Sequence, residues 1–435
     1  MVDDLIAFLN ASPTPFHAVA EVQRRLEAAG FSRLDEGAAW GVAARGRHFV
    51  ERGGGSIVAF SLGAKPVADA GFHIVGAHTD SPGLRLKPRA ARSREGFIAL
   101  DVEVYGSPIL ASWADRDLGI AGRVVVDEGD GRLVSRLIRL DGALARIGNV
   151  AIHLNREVNE TGLILNRHRH LSPIFAEWGA DGDPRAAFEE RLAGAAAVSR
   201  DAIVGADLSL FDAAPPARGG ADGEFIFSAR LDNLAMCHAG LTALLRLPSG
   251  DNRTAASATA VLALFDHEEV GSQSARGADS PMLVDILGRL AGAAHEAWPR
   301  AASQSLLVSA DMAHGVHPNY ADLHDGAHMP RLNAGPVIKT NSNLRYATDG
   351  ESAGFFRALG RAAGVTTQEF VNRADLACGT TIGPISASRL GIRTVDVGNA
   401  MLSMHSVREM SGARDVAPMI DLMARFFATS DRAPL

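Results

Sequence analysis

The rhythm of apolar positions changes twice along the chain. Over residues 1–30, Val19, Val22, Leu26 and Ala29 recur with a helical period, and Thr14-Pro15 reads as an N-cap followed by proline at the first helical position. Arg47–Arg52 and Ser56–Leu62 read as the arms of a hairpin joined through Gly53-Gly54-Gly55. Residues 71–77 are an apolar run that predicts a buried strand, with His78 at its exit. From about residue 90 to 170 the period drops to two. Ile98, Leu100, Val102 and Val104 alternate with Ala99, Asp101, Glu103 and Tyr105, and Arg123–Asp127 and Arg132–Leu140 flank a Gly-Asp-Gly turn. That is the pattern of antiparallel strands. Residues 193–224, rich in Ala, Gly and Pro, read as a loose return connection.

After residue 225 helix and strand alternate. The spacing predicts helices over Leu231–Leu247, Gly350–Ala363 and Val416–Thr429, and strands over Thr259–Phe265, Ser305–Ala310, Pro336–Thr340 and Ile392–Val397. Strands alternating with helices imply a mainly parallel sheet covered by helices. The architecture expected is one α/β domain, residues 1–88 and 223–435, interrupted by a β-rich insert over 89–222.

Composition narrows the class of function. The 435 residues are 47% apolar and 21% charged, ordinary for a globular protein, and the net charge of -7 argues against nucleic-acid or anionic-membrane partners. Met1-Val2-Asp3-Asp4 lacks the basic start of a signal peptide. No apolar run approaches the roughly 18 residues that span a bilayer. Two cysteines far apart, Cys237 and Cys378, are no disulfide framework and fit a reducing cytoplasm.

The candidate chemistry lies where buried strands should surface. Ligands in open α/β sheets collect at the carboxyl ends of strands, and there the chain places His78 and Asp80, Glu268 and Glu269, Asp311, and His405, with Asp232 at a helix start. In extended backbone His78 and Asp80 point the same way, so Asp80 can hold the imidazole in the orientation a metal ligand needs. Glu268 and Glu269, if extended, point apart, so that one binds metal and the other holds a water. Each residue also has a plainer reading: a surface His-Asp pair, a solvated acidic pair, a turn or helix cap, a semi-buried histidine. Their joint arrival at one sheet edge favours a metal-assisted hydrolase.

Longer stretches carry a resemblance. His78-Thr79-Asp80-Ser81-Pro82-Gly83-Leu84-Arg85, Leu231-Asp232-Asn233, Asp266-His267-Glu268-Glu269-Val270-Gly271-Ser272, Ser309 to Tyr320, Gly335 to Lys339, Cys378 to Pro384 and Met404 to Glu409 match, in order, those of the aspartyl aminopeptidase family. The chain resembles that family over nearly its whole length. The resemblance implies a zinc-peptidase-type mixed sheet with a dimerisation insert, and two zincs per subunit. Asp232 would bridge both metals, His78 and Asp311 would complete one site, and Glu269 and His405 the other. Glu268 would be the general base and Asp80 would orient His78. Two cations in such sites activate a water and polarise the scissile carbonyl. Lys339 would pair with the acidic side chain of an N-terminal Asp or Glu, and Tyr346 would hydrogen-bond near the reacting carbonyl. A neutral, leucine-type preference on the same scaffold is the competing expectation. The family assembles as a dodecamer built from dimers, with an insert histidine reaching a neighbour's site. His153 occupies the matching place, with His168 and His170 nearby.

Overall fold

The computed structural model describes residues 1–42, 45–179, 181–248 and 256–429. Among these, nine strands form the main sheet, in the order Ser32–Arg33, Arg47–Arg52, Ser56–Ser61, Thr259–Phe265, Phe72–His78, Leu306–Ala310, Arg393–Gly398, Val337–Thr340 and Gln368–Val371. The sheet is mixed. Phe72–His78 runs parallel to both of its neighbours, whereas Val337–Thr340 runs antiparallel to Arg393–Gly398. All seven residues of Phe72–His78 and of Thr259–Phe265 are buried, which explains their unbroken apolar runs. Side-chain alternation sends Val75, Ala77, Leu262 and Leu264 to a face covered by the helices Leu231–Leu245 and Val416–Ala428. Phe72, Ile74, Val261, Ala263 and Phe265 go to the other face, under Met282–Ala291 and Ile382–Leu390.

A second sheet of six strands is drawn wholly from residues between Gly83 and Asp212 and has its own core around Leu100, Ile120, Val124, Phe188 and Leu210. A third, of five short strands, joins Phe225–Ser228 to Glu409–Gly412 and Ala400–Leu402 to Ala313–His314. This small sheet carries the chain into Asp232 and holds the turn bearing His405. No helix among the described residues is long and apolar enough to cross a membrane.

Three local expectations need correction. The N-terminal helical stretch is two helices, Val2–Ala11 and Pro15–Ala28, because Pro13 and Pro15 interrupt the backbone hydrogen bonding. The region 193–224 is not loose. The helix Pro184–Ala196, capped by the Asp183 carboxylate on the Arg185 N–H, runs into it, and Ile203–Asp212 is a full strand. Gly205 and Ala206 thin the apolar signal there, yet Leu208 and Leu210 alternate inward. Tyr105, on the polar side of its alternation, is buried at 9% exposure, because its strand ends against the segment that follows Phe72–His78.

Candidate metal centre

Strand register brings the ligand candidates level. Phe265 pairs with His78, Ser309 with Gly76 and Ala310 with Val397, so His78, Asp311 and the Glu268–Glu269 turn leave the sheet at one edge. Gly398 permits the close approach of the neighbouring strand, since a Cβ there would sit 1.8 Å from the Asp311 carbonyl oxygen. Asp232 stands at the head of Leu231–Leu245 with non-helical backbone angles, and its peptide bond to Asn233 is cis. The N-cap of this helix is Arg230, so Asp232 is no ordinary N-cap. Asn233 is tied through its side-chain N–H to the Ala310 carbonyl at 2.8 Å. Glu268 and Glu269 are not extended. They share a 3-10 turn after His267, which turns left-handed at φ 65, and both carboxylates face the cluster from it.

Six side chains from five segments converge. His78 Nε2 lies 3.4 Å from Asp232 Oδ1, 3.5 Å from Asp311 Oδ1 and 3.9 Å from Glu268 Oε2. His405 Nε2 lies 3.4 Å from Asp232 Oδ2 and 3.5 Å from Glu269 Oε2. Asp232 thus faces one imidazole with each oxygen. The other ring nitrogens fix the tautomers. His78 Nδ1 donates to the Asp80 carbonyl at 3.0 Å, and His405 Nδ1 to the Ser107 carbonyl at 3.1 Å. A carbonyl can only accept, so each Nε2 turns its lone pair to the centre, as a metal ligand must.

The donor set fits a divalent cation. Potential ligand atoms fall into three groups, each within 4.8 Å: His78, Asp232 and Asp311; His78, Glu268 and Glu269; Asp232, Glu269 and His405. Among the described residues Asp232 Oδ1 and Glu269 Oε1 are buried without a hydrogen-bond partner, a costly state unless something positive lies near them. Protonation shows the same tension. Burial pushes the Glu268 carboxyl up to about 8 against the pull of His78, with Asp311 adding to the rise. Burial and Asp232 together raise Glu269 well above the carboxylate range. Burial would lower His78, but the carboxylates of Asp232, Asp311 and Asp80 outweigh it and raise it. So many like charges cannot all ionise at this spacing without protons or metal between them.

A supporting layer was not foreseen. The carboxylate of Asp80 stands 3.4 Å from His78 Nδ1, whose hydrogen bond goes to the Asp80 backbone carbonyl instead. The carboxylate accepts the backbone N–H groups of Glu268 and Glu269, both at 3.1 Å, and the Tyr105 hydroxyl at 2.6 Å. Asp80 thereby fixes the turn that carries both glutamates. The Arg85 guanidinium stacks 3.5 Å above the Tyr105 ring. Cys237 donates its thiol hydrogen to the His78 carbonyl at 2.9 Å. The one sequence signal for Tyr105 was a bulky aromatic among the polar positions of its strand.

The remaining candidates divide. Lys339 is 2% exposed, so it is no solvated charge. Its Nζ donates to the Met312 carbonyl at 3.2 Å, lies 3.8 Å from Asp311 Oδ2 and sits 5.1 Å from the centre of the Tyr346 ring. Lys339 and Tyr346 thus flank the centre beside Asp311. His153 lies in an exposed turn of the insert, outside this cluster, as do the exposed His168 and His170.

Comparison with known proteins bears on the family and the fold. The sequence pattern of the family described as Aminopeptidase I zinc metalloprotease (M18) matches residues 8–427. The probable M18 family aminopeptidase 2 of Pseudomonas aeruginosa (strain UCBPP-PA14) is 50% identical over 429 residues, 98% of each chain. That of Stutzerimonas stutzeri (strain A1501) is 49% identical over 429 residues, again 98% of each. Among solved structures, a chain of the Ape4 and Nbr1 complex superposes with a TM-score of 0.93 at 38% identity, over 98% of this chain and 85% of that one. A chain of the S. cerevisiae mApe1 dodecamer gives 0.85 at 27% identity, over 98% and 96%.

Proposed function

The chain belongs to the M18 family of zinc aminopeptidases, enzymes that hydrolyse N-terminal residues, and from that premise we propose that it removes Asp or Glu from the free N-terminus of peptides at a two-zinc centre. The observation that carries the reading is Asp232 set between two imidazoles, each with its Nε2 turned inward. His78 and Asp311 would hold one zinc, Glu269 and His405 the other, and Asp232 would be shared. When bound, the cations would lower the pKa of the attacking water and polarise the scissile carbonyl.

The chain's own groups do the rest. Glu268 takes the water's proton and returns it to the leaving amine. Its side chain keeps 12% exposure, so water reaches it. Asp80 holds the Glu268 backbone in place. Lys339 receives the substrate's side-chain carboxylate. Among the described residues the one hydrogen bond of its ammonium goes to the Met312 carbonyl, which leaves donors for an incoming anion. Tyr346 bonds near the reacting carbonyl.

Assembly follows the same reasoning. Val150, Ile152, Leu154 and Ile164 of the insert are largely exposed, as apolar residues destined for an interface are, and the similar mApe1 forms a dodecamer. We take the chain as a homododecamer, residues 89–222 making dimer contacts and His153 reaching the neighbouring site. Its two cysteines are unpaired, consistent with the cytoplasm.

Purified protein should lose activity on aspartyl and glutamyl anilides when treated with a strong chelator and regain it with zinc. N-acetylated substrates should be inert. Faster turnover of leucyl than aspartyl anilide would replace the acidic preference with a neutral one, and activity indifferent to chelation would end the metal mechanism. Lys339→Met should lower kcat/KM on aspartyl anilide relative to leucyl anilide by about ten- to a hundredfold. Hydrogen bonds to charged groups contribute about 1.5–3 kcal/mol. An unchanged ratio would remove Lys339 from the specificity pocket.

A further inference from the structure

Glu409 belongs to none of the ligand groups, yet it holds two of their members from behind. It opens the strand Glu409–Gly412 and is 2% exposed. Its Oε2 accepts the backbone N–H of Asp232 at 3.1 Å, and its Oε1 the backbone N–H of His405 at 2.8 Å. The third sheet explains the placement. Glu409 pairs with Ser228, which leads into Asp232, and lies on the far side of the turn that presents His405.

Neither segment is held by regular structure. Asp232 has φ -79 and ψ 106 at the irregular start of its helix, and His405 is left-handed at φ 68. Glu409 is the acceptor for both N–H groups, the Asp232 one buried and the His405 one half-buried. One carboxylate satisfies both and ties the Asp232 segment, 177 positions from Glu409, to the turn that bears His405. The 3.4 Å approach of His405 Nε2 to Asp232 Oδ2 therefore depends on a side chain that touches neither group.

We propose that Glu409 is a positioning residue that sets the zinc affinity of the centre, by fixing the backbones of Asp232 and His405 against each other. The proposal rests on reading Asp232 and His405 as ligands. Asp415 offers a matched contrast. It too is a buried carboxylate accepting two backbone N–H groups, from Asn333 at 2.6 Å and Gly335 at 2.8 Å, but neither is a ligand candidate.

The test strips metal from the full-length protein and titrates zinc against a chromogenic chelator. In Glu409→Gln the amide can accept one N–H but presents its own hydrogens to the other. Its zinc dissociation constant should rise about ten- to a hundredfold, the range for lost supporting contacts around ligands. At saturating zinc its kcat should return to within a few-fold of wild type. Glu409→Asp keeps the charge but is one methylene too short to span both segments. It should also bind zinc more weakly, and it carries the measurement should the glutamine variant not fold. Asp415→Asn should lower the melting temperature and leave the zinc constant unchanged. Wild-type zinc binding in both Glu409 variants, or an equal loss in Asp415→Asn, overturns the proposal. Asp232→Asn separates the two levels. If it too binds zinc as wild type, the ligand assignment falls and the positioning role with it. If it loses zinc while the Glu409 variants do not, the positioning role alone falls.

Discussion

Glu268→Gln is expected to keep its metal and lose its turnover. The substitution is nearly isosteric and removes one acid–base function. Glu268 sits 3.9 Å from His78 Nε2, farther than Asp232 at 3.4 Å or Asp311 at 3.5 Å. Metal content, with His78, Asp232, Asp311, Glu269 and His405 intact, should therefore stay near wild type. General base catalysis contributes about 10²–10⁴-fold, so kcat should fall by at least two orders of magnitude, with KM little changed. In free energy that is roughly 2.7–5.5 kcal/mol of transition-state stabilisation. The pairing of readouts matters, because Glu268 also belongs to a potential ligand group with His78 and Glu269. Lost zinc in this variant would make Glu268 a ligand, and retained turnover would move the base elsewhere.

Most of the architecture, and every member of the central cluster, was legible in the sequence. The reason is the same for both. Strands buried on two faces leave unbroken apolar runs, and an ionisable residue at the end of such a run, like His78 or Asp311, has few structural uses. The aligned ends of parallel strands then make one edge of many segments. What the sequence hid was whatever depends on contacts between distant parts. Tyr105 looked like one more polar-face residue because nothing local says that its strand ends against Asp80. Glu409 looked like the tail of a motif because its partner lies 177 positions away. Lys339 has the same appearance in a sequence whether solvated or buried beside Asp311. The Glu268–Glu269 turn was misread as extended because the left-handed His267 that starts it is a tertiary choice, with no glycine to announce it.

Asp232→Asn should fail in the opposite sense, losing metal before chemistry. Asp232 is the one residue whose two oxygens address both imidazoles, Oδ1 toward His78 and Oδ2 toward His405, each at 3.4 Å. Burial would raise its pKa, yet the two facing imidazoles overcome that and hold it well below the usual carboxylate range. Asparagine keeps the shape and discards the charge. One of its two positions becomes an N–H₂ group, which cannot coordinate and which is turned toward an imidazole lone pair or a cation. Four-ligand zinc sites bind with about 10–16 kcal/mol, roughly 3 kcal/mol per ligand, so zinc affinity should fall a hundredfold or more. If the carboxylate is shared as proposed, both zincs should be depleted after dialysis, whereas loss of Asp311 or Glu269 should spare one. Zinc raises the melting temperature of a protein that binds it only when folded, and that rise should be smaller in the variant than in wild type. Elemental analysis showing two zincs per subunit in Asp232→Asn, together with an undiminished zinc-dependent melting shift, would leave the bridging carboxylate without a role and require a different residue between the two imidazoles.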